Sequence, residues 1–109
     1  MASLYKRLMD TRTIGGNELQ PPAEAMDVGA YTKLEIQPRV LKAATTGSLK
    51  IMHSAVAEIG SFAELTTISL TATSNTPLSF TNFLRYISWE AVSVTGSAVV
   101  VVDVVAKQG

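Results

Sequence analysis

A chain of 109 residues, 47% hydrophobic and 17% charged, is sized for one core and excludes two independent domains of ordinary stability. Nine basic residues balance nine acidic ones, which argues against a disordered tail and against a nucleic-acid or other polyanion binder. The absence of cysteine removes disulfide scaffolds, thiol chemistry and cysteine-ligated zinc, so stability must come from packing or from assembly with other chains.

The opening "MASLYKRLMD" has basic residues but no apolar run after them, and does not read as a secretory signal. Residues 1 to 29 differ in texture from the rest. Gly15-Gly16 and Pro21-Pro22 break regular structure, so the segment reads as an extended arm with one helical turn near Leu4 to Met9. Such an arm is either disordered or ordered by a neighbouring subunit, which would bury Leu4, Tyr5, Leu8, Met9 and Met26.

From Ala30 to the end the chain reads as the folded domain. In "YTKLEIQPRVL", Thr32, Leu34, Ile36 and Val40 alternate with Lys33, Glu35, Gln37 and Arg39, the period of a strand with one face on a core. Pro38 lies on the apolar phase, which predicts an edge or a bulge there, because proline cannot donate to a ladder. After the turn "ATTGS", "LKIMHS" places Leu49, Ile51 and His53 on one face, and the two strands are expected to form a hairpin. "FAELTTISLTA" is rich in β-branched residues and reads as a further strand, closed by the turn signal "TSNTP" and followed by a short strand in "LSFTNF". In "LRYISWEAVSV", Leu84, Tyr86, Val92 and Val94 share one phase against Arg85, Ile87, Trp89 and Ala91, and both phases carry apolar residues, which predicts a strand covered on both faces.

"TGS" leads into the last strand, "SAVVVVDVVAKQG". Ala98, Val100, Val102, Val104 and Ala106 form its core phase; Val99, Val101, Asp103, Val105 and Lys107 form the other. Asp103 is expected on the outer face, where an acidic gatekeeper against edge pairing outweighs a functional carboxylate. The longest apolar stretch, Ala98 to Ala106, is far short of the roughly 20 residues of a membrane helix, so no membrane partner is expected. The whole pattern predicts an all-β, antiparallel, jelly-roll-like β-sandwich over 30 to 109 with an N-terminal arm over 1 to 29; a small open barrel or an OB-like fold are the alternatives.

Chemistry is sparse. His53 is the single histidine, and its neighbour Ser54 points to the opposite face of a strand, so the pair does not make a nucleophile and its base. Glu58 with Glu64, or Glu90 with Asp103, have no spacing that demands proximity, and the glycine turns lack the lysine and helix of a phosphate loop. No enzyme, cofactor or metal is expected. Tyr86 and Trp89 are the side chains a sugar could stack on, although packing is favoured for a strand so flanked by apolar residues. Arg85 shares the phase of Trp89 and is placed to stack on that ring.

With "FAEL", "TTISLTATSN" and "LRYISWE" running through a Thr-Gly turn into "SAVVVVDVVAK", the chain from Tyr31 onward resembles small β-sandwich structural proteins of tailed-phage virions, the decoration, cement and minor head or tail proteins. The resemblance implies a non-enzymatic virion protein, made in the host cytoplasm, that forms a homo-oligomer, a trimer by preference, and reinforces a shell by contact with the major capsid protein or other virion proteins. Contacts would come from Leu4, Tyr5, Leu8 and Met9 in the arm and from Val99, Val101 and Val105 on the last strand. The alternative is a carbohydrate-binding module or tail-fibre component using Tyr86 and Trp89.

Overall fold

The computed structural model describes residues 3–108. Nine strands and one short 3-10 helix follow in the order β1 (Ser3–Ile14), β2 (Glu18–Leu19), η1 (Pro22–Glu24), β3 (Met26–Asp27), β4 (Lys33–Lys42), β5 (Thr46–Ser54), β6 (Ala63–Ser69), β7 (Leu78–Phe80), β8 (Tyr86–Thr95) and β9 (Ala98–Lys107). They build two antiparallel sheets, β1-β9-β4-β7 and β2-β8-β5-β6, with β3 pairing β8 as well. Except for β2 to β3 and β5 to β6, each strand is followed by one in the other sheet, which is the jelly-roll arrangement predicted from the spacing of strands and turns.

The core phase of β9 is as read from the sequence: Ala98, Val100, Val102, Val104 and Ala106 are all fully buried. On β4, Leu34, Ile36 and Val40 face the same interior, and from the opposite sheet Leu49, Ile51, Ile87 and Trp89 close it. Pro38 pairs with Val102 on β9. The N–H of Val40 points away from β9, to the Ser74 carbonyl at 3.0 Å, and residues two apart in a strand aim their N–H groups the same way. The donor that Pro38 lacks therefore falls on the side away from β9, between the end of β7 opposite Ile36 and the Val40–Ser74 bridge, where no ladder requires it.

Three expectations are corrected. The first is the hairpin: β4 lies between β9 and β7 while β5 lies between β8 and β6, so the connection spans the sandwich. Ala44 in that connection is buried and donates its N–H to the Leu70 carbonyl at 2.8 Å. Both strands bury one apolar face, and burial alone does not say which neighbour each takes.

The second correction concerns the N-terminal segment, which is neither an arm nor helical over its described residues. β1 pairs with β9 from Ser3 opposite Lys107 to Ile14 opposite Ala98, and Leu8, Met9, Ile14, Met26 and Val28 enter the same core as the rest of the chain. Two irregularities in the register, between Arg7 and Met9 and between Met9 and Arg12, break the two-residue period and turn the adjacent Leu8 and Met9 both inward. Beyond Gly15-Gly16 the chain moves to the second sheet, where β2 and β3 add to β8.

The third correction is the phase of β8. Ile87, Trp89 and Ala91 face the core, but Val94 is buried out of step with them. Ser93 has φ +56°, and the register against β5 shifts between Thr46 and Ser48, so a bulge transfers Val94 to the inner face. Asn17 stabilises the bulge by accepting the Ser93 N–H at 2.7 Å. Gly47, at φ +127°, lies directly beneath it: a Cβ there would come within 2.7 Å of Val94. The two-sided covering expected of β8 is supplied by the chain itself, since Ser88 on its outer side is buried and donates to Gln20 Oε1 at 2.9 Å.

Candidate functional site

The groups that could have carried catalysis are engaged elsewhere. His53 is half-buried at the end of the core phase of β5, and its Nδ1 accepts the Leu84 N–H at 3.2 Å; burial pushes its pKa below the usual 6.5. Ser54 points away, donating to Ser61 Oγ at 3.0 Å and accepting the Val56 N–H at 3.2 Å, so it braces the loop before β6. Glu64 sits 3.8 Å from Lys50, and Glu90 and Asp103 lie on different sheets. Among the described residues, no three histidines or carboxylates gather where they could hold a metal ion.

Trp89 is 4% exposed, and Arg12 lies over its ring at 5.1 Å, held there by a 2.8 Å ion pair with Glu18. That removes Trp89 as a stacking platform and corrects the pairing with Arg85, which lies instead over Tyr86 at 5.0 Å. Arg85 also donates twice to Asp27, at 3.1 and 3.0 Å, tying the N-terminal segment to the start of β8. This fork and the Gly29 N–H hold the Asp27 carboxyl below the usual carboxylate range.

Asp103 faces outward as expected, but β9 is not an edge. It is an interior strand, and Asp103 gathers its neighbours: Tyr5 Oη donates to Oδ1 at 2.6 Å, Arg7 Nε to Oδ1 at 2.9 Å, and Arg39 Nη2 to Oδ2 at 3.0 Å. Burial pushes this carboxyl up, and the donors from Tyr5, Arg7 and Arg39 together bring it net below its ordinary value of 3.8. To reach Asp103 from its position opposite Val101, Arg39 runs diagonally along β9. Its role here is to neutralise two arginines on a sheet face, a task different from gatekeeping an edge.

The outer contact residues divide in consequence. Tyr5 is 58% exposed and Leu4, Val99 and Val105 are half-buried, so these four reach the surface, whereas Leu8, Met9 and Val101 are buried within the chain. Leu41, 52% exposed at the end of β4, was not singled out by the sequence pattern.

The opposite face carries an apolar groove of about 210 Å³, lined by Leu19, Pro22, Met52, Ile59 and Phe62 with Glu90 at its side. Leu19 and Ile59 stand out into solvent. No local pattern marks this groove, because its walls come from β2, η1, β5 and the loop before β6, brought together only by the fold.

The charges, neutral in total, are partitioned. Of the nine basic residues, only Lys50 and Arg85 belong to the β2-β8-β5-β6 sheet and the segments joined to it; the other seven lie on β1, β4 and β9. Of the nine acidic residues, only Asp10, Glu35 and Asp103 lie on those three strands, and the other six belong to the opposite sheet and its loops. The β1-β9-β4-β7 side thus carries four net positive charges and the β2-β8-β5-β6 side four net negative ones.

No family model matches the chain, and no curated protein sequence matches it. Among solved structures, the SPBc2 prophage-derived protein YomS superposes with a TM-score of 0.59 at 19% identity, covering 95% of this chain and 93% of its own. A structure described as "Bacillus endospore appendages form a novel family of disulfide-linked pili" superposes with a TM-score of 0.54 at 7% identity, covering 97% of this chain and 88% of its own. Both likenesses are of the fold.

Proposed function

We propose that the chain is a non-enzymatic structural component of a phage particle, a capsid decoration protein or a minor head or tail protein of that kind, acting through contacts with other virion subunits and with copies of itself. The observation that carries this reading is the end-to-end match of fold with a prophage-derived protein, 95% of one chain against 93% of the other. Fold alone does not assign function, and the surface chemistry adds to it. The polar groups of His53, Ser54 and Asp103 are consumed in structural hydrogen bonds, while exposed apolar side chains and segregated charge remain for protein contact.

The likeness of fold to a structure described as disulfide-linked pili supports a role in an assembly. This chain has no cysteine, so its own assembly would not be disulfide-linked. The reading is tested by proteomics of particles purified from the host that encodes the chain. The protein is expected at a fixed ratio to the major capsid protein through a density gradient and a salt wash; its absence from particles, with presence in the cell extract, would overturn the proposal.

A further inference from the structure

We infer that copies of this chain bind one another head to tail, the β1-β9-β4-β7 face of one copy seating on the β2-β8-β5-β6 face of the next. The inference rests on the structural-protein reading above and specifies the contact through which it would work.

Lys6 and Arg12 lie in register with the core residues Val104 and Val100, and Glu18 with Ala91, so they leave from the inner phase; without them one face keeps two net positive charges and the other three net negative ones, and two like faces repel while unlike faces attract. The ion pairs leave identifiable groups over: Lys42 on the positive face, and Glu24, Glu58 and Glu90 on the negative side, have no ion-pair partner among the described residues. Lys42 pairs in register with Val99 and so shares the outer face of β9's Asp103 phase. Glu90 borders the groove.

The apolar parts correspond as well. The acidic face presents a recess between Leu19, Met52, Ile59 and Phe62; the basic face presents exposed Tyr5 and Leu41 and the half-buried Val99 and Val105. An apolar centre with a charged rim on each side, of opposite sign, is the anatomy of a specific protein contact. The two faces lie on opposite sides of the sandwich, and a heterologous contact repeated by one operation extends into a stack when it does not close. That geometry favours an open stack over the closed trimer suggested by the resemblance.

The test is charge reversal with complementation on the full chain. Light scattering of the wild type at low ionic strength is expected to give a mass that rises with concentration beyond that of a dimer and falls when salt is added. Lys42→Glu alone and Glu90→Lys alone should each weaken association by about tenfold or more, since each sets like charges against one another. An equimolar mixture of the two variants should regain it, because each then offers the face the other lacks. Both positions are at the surface, and an unchanged melting curve would show that the variants fold.

A wild type that stays monomeric, a mixture that stays dissociated, or an effect of one reversal without the other would each overturn the inference, the last pointing to an isologous dimer. Protein that is found in particles yet monomeric in solution would overturn the inference and leave the virion reading standing. Stacking without incorporation into particles would do the reverse.

Discussion

Replacing Asp103 by Asn tests whether the carboxylate organises its sheet face. The substitution keeps the shape and removes the charge on which Tyr5, Arg7 and Arg39 converge at 2.6, 2.9 and 3.0 Å. Removing one partner of a fully buried ion pair costs ~3–5 kcal/mol, because it strands a charge. Here the Asp103 side chain is 15% exposed, but Arg7 and Arg39 are 39% and 32% exposed and can turn partly into water. The expected loss is therefore smaller, about 2–3 kcal/mol, close to one or two charge-assisted hydrogen bonds. For a domain of this size that lowers the melting temperature by roughly 8–15 °C. The pH dependence gives an independent check. The folded pKa lies below 3.8, so the stabilisation is complete above the unfolded value and is lost as pH falls through the folded one; Asp103→Asn should remove that part of the acid limb. Urea denaturation at pH 7 and through the acid range measures both. A loss below about 0.5 kcal/mol, with an unchanged acid limb, would refute the reasoning and make Asp103 an ordinary surface charge.

Deleting residues 3 to 14 should abolish folding, since Leu8, Met9 and Ile14 at ~1.5–3 kcal/mol each approach the whole stability of a small domain; a folded circular dichroism spectrum would instead restore the arm. Gly47→Ala should destabilise by about 1–3 kcal/mol in chemical denaturation, because the new methyl meets Val94 at 2.7 Å in a backbone conformation at φ +127°. His53 should titrate below 6.5 in a proton NMR series. Because its folded pKa is depressed, its neutral form contributes stability above the unfolded value that is lost as pH falls through the folded one, and a midpoint at or above 6.5 would contradict its acceptor role toward Leu84.

What was legible in the sequence follows from which patterns are local. The alternation in β9 assigned its core side residue by residue, because a strand with no break keeps its two-residue phase. β4 was readable for the same reason, but it is an interior strand with its bulge after Val40, where Pro38 suggests an edge or a bulge at its own position; Pro38 is tolerated because its ladder with β7 has already ended at Ile36. β1 was not readable as a strand, because its two bulges place Leu8 and Met9 side by side in the core and leave Lys6 and Arg7 between apolar positions. The slip at Ser93 defeated the phase of β8 in the same way, its stabilising partner Asn17 lying far away in sequence. The groove and the separation of charge depend on which strands share a sheet. The hairpin expected between β4 and β5 would have mixed the two sets and hidden both.

The edges of the sheets bear on how such a chain could assemble. A sheet edge is the simplest route to self-association, and each edge here is blunted. β1 carries two register breaks together with Lys6 and Arg7; β7 is three residues long and β2 two. β6 has its own break between the residues opposite Ile51 and Met52, beside Glu64. Asp103, in the middle of its sheet, contributes nothing to this protection and instead holds Arg7 and Arg39 in place on the basic face. With edges closed to pairing and cysteine absent, the broad faces are left as the surfaces for repeated contact, and their charges differ in sign. Assembly should then be governed by ionic strength, unaffected by reductant, and indifferent to proline substitutions along β6 that leave the fold intact; a loss of association on such a substitution would return the contact to the edge.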